Sequence, residues 1–253
     1  MAGYFVPPNG DWNGDHRKSR ELRAKAEAAL LAAQELSNHA TELQGCHLGT
    51  ISLGINCGPD HRRVPNLIGE MWATCPGVGL TFVQGSSGRI AEDLVREVLD
   101  CGFLFGQGLA TLIAHRLTTA DLLVAAPKEW ETTIKAASWE EVAGLPWIHS
   151  GGNCPFQLII DGKFAERGLK PRKGVYADDD ATRIDLLASG AGMAILQSAD
   201  AMRAVDAGQA VIWPTELMDC DLSSAYLAGR KDDPLIKSMR IAVAREWEPV
   251  SDI

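Results

Sequence analysis

Apolar positions follow three different periods along this chain, and each change of period marks a change of element. Between Ser19 and Gly45 they recur at alternating spacings of four and three: Leu22, Ala26, Ala29, Ala33, Leu36, Ala40 and Leu43. That heptad spacing predicts one helix over residues 19–45, with Ser19 as N-cap, Gly45 as stop and one narrow apolar seam. The seam fits packing on the helix's own domain or pairing with another chain's helix. Its narrowness and alanine content favour pairing. Residues 1–18, rich in Gly, Pro, Asn and Asp, read as a tail.

Beyond Gly45 the period falls to two. Ile51, Leu53 and Ile55 alternate as a strand, followed by a polar loop from Asn56 to Asp60. Val64, Leu67, Ile68, Met71 and Trp72 mark a helix face that stops at Pro76-Gly77. A strand over 78–83, a helix carrying Ile90, Ala91, Leu94 and Val98, and a strand over 102–105 complete βαβαβ. Helical crossovers of this length predict a parallel sheet. After a strand at 122–126, a second copy of the plan opens at Trp147. It has strands at 147–149, 175–177, 193–196 and 210–213 and helices over 155–167, 181–188 and 199–207. A strand at 225–228 and a helix from Pro234 to about Glu246 close the chain. The pattern predicts an α/β protein of two lobes, with residues 46–121 and 228–253 in lobe I and 122–227 in lobe II. In such sheets a ligand sits where strand ends meet a crevice.

Composition narrows what such a protein does. With 33 Asp and Glu against 24 Lys and Arg, the net charge is −9, a poor surface for displacing counterions from nucleic acid. Residues 1–45 carry five basic and six acidic residues, so 46–253 hold −8 of that charge. No run approaches a membrane span and no signal peptide is visible, so a cytoplasmic protein without membrane contact is expected. Six scattered cysteines read as reduced thiols in a chain of this length. Cys46, His47, Cys57 and His61 lack zinc spacing, so no metal is expected. A Cys154–Cys220 redox pair has no local sequence favouring a reactive thiolate. No cofactor motif and no nucleophile–base–orienter set appears, so the chain does not read as an enzyme.

What remains is binding chemistry at strand ends. Gly85-Ser86-Ser87-Gly88 follows a strand and opens a helix, placing backbone N–H groups and two hydroxyls beside a positive helix end. Ser86 or Ser87 serves as N-cap, alone or together with contact to an oxyanion. His149-Ser150-Gly151-Gly152-Asn153 occupies the matching place in the second lobe, as a ligand lining or a plain turn. Asp178, Asp179 and Asp180, with Thr182, cap the next helix or receive a donor group from a ligand.

These elements also carry specific wording. LGTISLGI at 48–55, VPNLIGEMW at 64–72, PGVGL at 76–80, GSSGRI at 85–90, VLDCGF at 98–103 and LLASGAGMAIL at 186–196 run in register with the effector-binding domain of LysR-type transcriptional regulators. The heptad helix resembles that family's linker helix, and the resemblance covers roughly residues 19–247. It implies a periplasmic-binding-protein-like (type 2) fold, a small-molecule effector between the lobes, and homodimers or homotetramers. DNA would be read only through a winged-helix head, for which the 18 residues ahead of the helix leave no room. By position, the resemblance places Asn56, Gly58, Ser86, Ser87, Gly106, Gln107, His149, Ser150, Asn153 and the segment from Asp178 through Asp180 to Thr182 at the ligand. A stand-alone solute-binding protein and a headless partner of a full-length regulator are the alternatives.

Overall fold

A computed structural model describes residues 25, 49–56, 63–151 and 153–247, and the account that follows concerns the unit beginning at Gly49. The heptad seam from Leu22 to Leu43 lies outside the described residues, as do Gly58 and the Cys46, His47, Cys57 and His61 set.

Strand β1 (Thr50–Ile55) buries Ile51, Leu53 and Ile55 as their alternation requires. Helix α1 (Val64–Thr74) turns Val64, Leu67 and Met71 inward. Strand β2 (Gly79–Gln84) pairs parallel with β1 along its whole length. Helix α2 (Ser87–Val95) returns the chain to β3 (Cys101–Phe105), parallel on the other side of β1. The sequence pattern carried α2 to Val98. In the structure the helix stops at Val95, and Val98 is 61% exposed, so it supplies no core contact.

The larger departure concerns two long strands. Strand β4 runs from Leu112 to Pro127, where the pattern predicts a strand only at 122–126. Strand β9 runs from Met218 to Leu227, where the pattern predicts 225–228. The two pair antiparallel along ten residue positions, with one register shift between Arg116 and Thr118. Many of their paired residues (His115, Arg116, Thr119 and Asp121 against Ser224, Ser223, Asp221 and Asp219) are polar, so hydropathy reads them as loop. Backbone pairing extends them beyond their buried positions, which in β9 are Met218, Cys220, Leu222, Ala225 and Tyr226.

The second half follows β4. Short helices α3 (Glu131–Ile134) and α4 (Trp139–Gly144) lead to β5 (Pro146–His149). Helix α5 (Pro155–Glu166), β6 (Arg172–Tyr176), α6 (Asp180–Ala188), β7 (Ala194–Gln197), α7 (Ser198–Asp206) and β8 (Ala210–Ile212) succeed it. Helix α8 (Pro234–Trp247) then packs Ile236, Met239, Ala242 and Val243 back on the first half, beside α1. The predicted duplication is visible in strand order. The first half reads β2-β1-β3-β9-β4. The second reads β6-β5-β7-β4-β8, with β5 joined to β7 through Trp147 and Met193. Residues 222–226 of β9 pair with β3, and 122–127 of β4 with β7 and β8. The lobe limits at 121/122 and 227/228 therefore fall within β4 and at the end of β9.

Helix α4 begins with a reciprocal cap. The Ser138 hydroxyl accepts from the Glu141 N–H at 3.3 Å, and the Glu141 carboxylate accepts from the Ser138 N–H at 2.8 Å. Ser138→Ala is expected to cost about 1 kcal/mol, read as a lower urea midpoint at unchanged m-value. An unchanged midpoint would remove the cap's role.

Candidate functional site

Each half ends a parallel strand in a turn and starts a helix there, and the two turns face each other. In the first half, β2 ends at Gln84 and the Ser86 hydroxyl caps α2 by accepting from the Arg89 N–H at 3.3 Å. The Ser87 hydroxyl is buried beneath. It accepts from Asn56 Nδ2 at 2.8 Å and from the Phe105 N–H at 3.1 Å, which ties the ends of β1 and β3 to α2. In the second half, β5 ends at His149 and α5 starts at Pro155. A Cβ placed on Gly88 would lie 2.8 Å from the Asn153 Cβ, so only glycine lets the opposite turn approach this closely.

Around that contact lie two adjoining cavities that share Ser86, Arg89 and Asp178. One, of about 290 Å³, also reaches Glu92, Ser150, Gly151, Asn153 and Cys154. The other, of about 900 Å³, extends past Asn56 and Gly85 to Asp180, Ile184, Asp200 and Arg203. Of the sequence-derived residues, Asn56, Ser86, Ser150, Asn153, Asp178 and Asp180 line this cleft. Ser87 supports its floor. Gly106, Gln107, His149 and Thr182 are not among the lining residues.

Much of the polar chemistry is already paired. Asp178 accepts from the Gly151 N–H at 2.8 Å and so holds the second turn. Asp179 caps α6 by accepting from the Thr182 N–H at 2.8 Å, and that bond holds its carboxyl below the usual carboxylate range. Asp180 pairs with Arg183, a guanidinium only 2% exposed that also donates to the Ser150 hydroxyl at 2.7 Å and the Ile195 carbonyl at 3.3 Å. Arg89 is bound to Asp93 at 2.7 Å, and Arg203 to Asp200. His149 lies below the second turn, where burial pushes its pKa down and its Nε2 has no hydrogen-bond partner. Cys154 lines the cleft, whereas burial pushes the Cys220 thiol up to about 11, away from thiolate chemistry. Among the described residues no group of three or more His, Cys, Asp or Glu is placed to hold a metal. No helix among them is long and apolar enough to cross a membrane.

The sequence missed Arg89, Glu92, Asp200 and Arg203. They stand on helix faces one turn or more from a strand end, where they read as ordinary solvated charges. The geometry offers an oxyanion a place at the start of α2, where the first helical N–H groups have no internal partner. Opposite stands Asp178, which accepts hydrogen bonds.

Comparison with known proteins identifies the fold. The model of the LysR substrate binding domain matches residues 45–246. The chain belongs to the LysR substrate binding domain family. Solved structures agree on the fold. The effector binding domain of QuiR in complex with shikimate superposes with a TM-score of 0.67 at 19% identity, covering 79% of this chain and 98% of that one. The Synechocystis PCC6803 CcmR regulatory domain in complex with 2-PG gives 0.65 at 14% identity, covering 80% and 99%. Full-length CbnR complexed with its target DNA gives 0.60 at 16% identity, covering 97% and 85%. No curated protein sequence matches the chain. As in other LysR substrate binding domains, the fold is the bilobal, type 2 periplasmic-binding-protein-like arrangement, with a cleft between two α/β halves.

Proposed function

We propose that this chain is the ligand-sensing and oligomerisation part of a cytoplasmic LysR-type transcriptional regulator, and that it binds a small metabolite between its halves without catalysing a reaction on it. The observation that carries the reading is the meeting of the two turns at Gly88 and Asn153, with Ser86 on one wall and Asp178 on the other. A ligand there touches both halves at once, so it favours one relative arrangement over others and shifts their populations. The cleft's chemistry favours a compact metabolite with an oxyanion group, such as a carboxylate, at the start of α2 and a hydrogen-bond donor toward Asp178. Two structural relatives hold small ligands, shikimate and 2-PG.

In this reading the seam from Leu22 to Leu43 pairs chains into dimers or tetramers. With a net charge of −9, DNA contact is assigned to a winged-helix head and not to residues 49–247. A solute-binding protein is the second reading by fold; the heptad spacing of residues 22–43 in the sequence counts against it.

Thermal-shift screening of small acids, amino acids and aromatic metabolites tests the site, because a ligand that binds only the folded state raises its melting temperature. Ser86→Ala and Asn153→Ala are each expected to weaken the best ligand about five- to tenfold, the worth of one hydrogen bond. Each variant is compared with its own ligand-free melt, since Ser86→Ala also removes a cap. An undiminished shift in both variants would move the ligand elsewhere.

A further inference from the structure

A mainly apolar cavity shares no residue with the cleft. It is a groove of about 690 Å³ between α8 and the outer face of the β4–β9 ladder, within the usual range of about 300–1,000 Å³ for small-molecule sites. Its walls are Leu117 from β4 and Ile241, Ala244 and Trp247 from α8. Ile241 is 47% exposed. Trp247 is held in place by Phe103, with ring centroids 5.4 Å apart.

Charge distinguishes this groove from a bare apolar face. Four of its lining residues, His115, Arg116, Lys237 and Arg240, are basic in a chain of net charge −9. Two of the three permanent cations are already neutralised, Arg116 by Asp221 at 2.7 Å and Lys237 by Asp232 at 3.3 Å. Arg240 is not. Its guanidinium lies 5.3 Å from the centre of the Tyr226 ring, and no carboxylate among the described residues pairs with it. Tyr226 in turn stacks on His115, whose Nε2 lies 3.3 Å from the Tyr226 hydroxyl. Burial, with Arg240 adding to it, pushes the His115 pKa down.

We propose that this groove is a second small-molecule site, and that it takes an amphipathic organic anion: a carboxylate on an aryl or branched alkyl body. The apolar body lies against Leu117, Ile241 and Trp247. The carboxylate meets Arg240, whose planar fork matches a carboxylate in two parallel hydrogen bonds. An anion is favoured over a neutral apolar molecule because the lining of the groove includes a guanidinium that no carboxylate among the described residues compensates. An anion is favoured over a helix from another chain because a single unpaired cation set beside a short apolar wall matches one charged group. Leu117 sits at the register shift of the β4–β9 ladder, so an occupant touches the strand pair that runs through both halves.

The test uses the full chain with 2-naphthoate as probe and 2-naphthalenemethanol as its neutral counterpart, titrated calorimetrically. Saturable binding of one naphthoate at the groove is expected, with the alcohol about ten- to a hundredfold weaker, as loss of a charge-assisted hydrogen bond implies. Arg240→Gln is expected to weaken naphthoate by a similar factor. Ile241→Glu, at a position 47% exposed, should abolish binding. The proposal is overturned by equal affinity for acid and alcohol, or by full affinity in Ile241→Glu. It is also overturned by the absence of saturable binding up to about 5 mM, the result expected if residues 1–48 or a second copy fill the groove. Should Arg240→Gln melt early, the alcohol comparison and Ile241→Glu still decide.

Discussion

Replacing Trp147 with alanine is expected to lower the unfolding free energy by about 3–5 kcal/mol, the range for truncating a buried aromatic. Trp147 is 1% exposed and stands where β5 meets β7, bridging to Met193. Its ring meets Phe164 of α5 edge-on, with centroids 5.2 Å apart. The indole N–H donates to the Val142 carbonyl at 2.9 Å, which anchors α4. Truncation therefore opens a cavity among three elements and removes one of the two hydrogen bonds on the Val142 carbonyl, which keeps the one from the Leu145 N–H at 3.2 Å. Urea titration followed by circular dichroism measures the loss. A change below about 1 kcal/mol would mean that the surrounding helices collapse into the space. Trp147→Phe keeps most of the volume and loses the hydrogen bond, so it should fall between the two.

Removing the Asp180 carboxylate is expected to cost about 3 kcal/mol, the low end for breaking a buried ion pair because Asp180 itself is 24% exposed. The cost lies in what it leaves behind. Arg183 is buried, its Nε already has no partner, and without Asp180 its charge is uncompensated. Asp180→Asn combined with Arg183→Met should therefore be more stable than Asp180→Asn alone, because the stranded charge is gone. Equal stability of the single and double variants would remove the ion pair from the account. The same substitution reaches the cleft, since Arg183 also holds the Ser150 hydroxyl. Ligand affinity should fall in the double variant even where stability recovers.

Two kinds of information were unequally legible in the sequence. Strands buried on both faces announced themselves. Ile51, Leu53 and Ile55 alternate, and 193–196 is a continuous apolar run, because burial selects apolar side chains. The helices of the crossovers were legible for the same reason. The first half of β4 was not, because most of its side chains from Ala114 to Asp121 are exposed or half-buried and its pairing with β9 is what makes it a strand. Nor was the start of β9, which buries only Met218, Cys220 and Leu222, between the exposed Asp219 and Asp221. The cleft divides likewise. Ser86 and Asn153 stand at helix starts that follow strands, a position with a fixed geometric meaning, and they line the cavity. Arg89, Glu92, Asp200 and Arg203 line it too, but only the relative placement of the halves brings helix faces together there. The resemblance to a known family supplied Asn56, which strand-end logic reached only as part of a polar loop. Arg183 had no signal at all: a lone arginine inside a helix reads as solvated, and only tertiary packing buries it.

The position of β9 bears on the order in which the chain acquires structure during synthesis. Among the described strands it is the last to be made, yet it lies in the middle of the first half's sheet, between β3 and β4. Until residue 227 has left the ribosome, β3 has an unpaired edge and β4 lacks its main partner. The nascent first half is therefore an open, aggregation-prone sheet for most of translation. The second half's strands, β4 to β8, are complete by Ile212, so it is the half able to close first. The half that begins first along the chain is finished last.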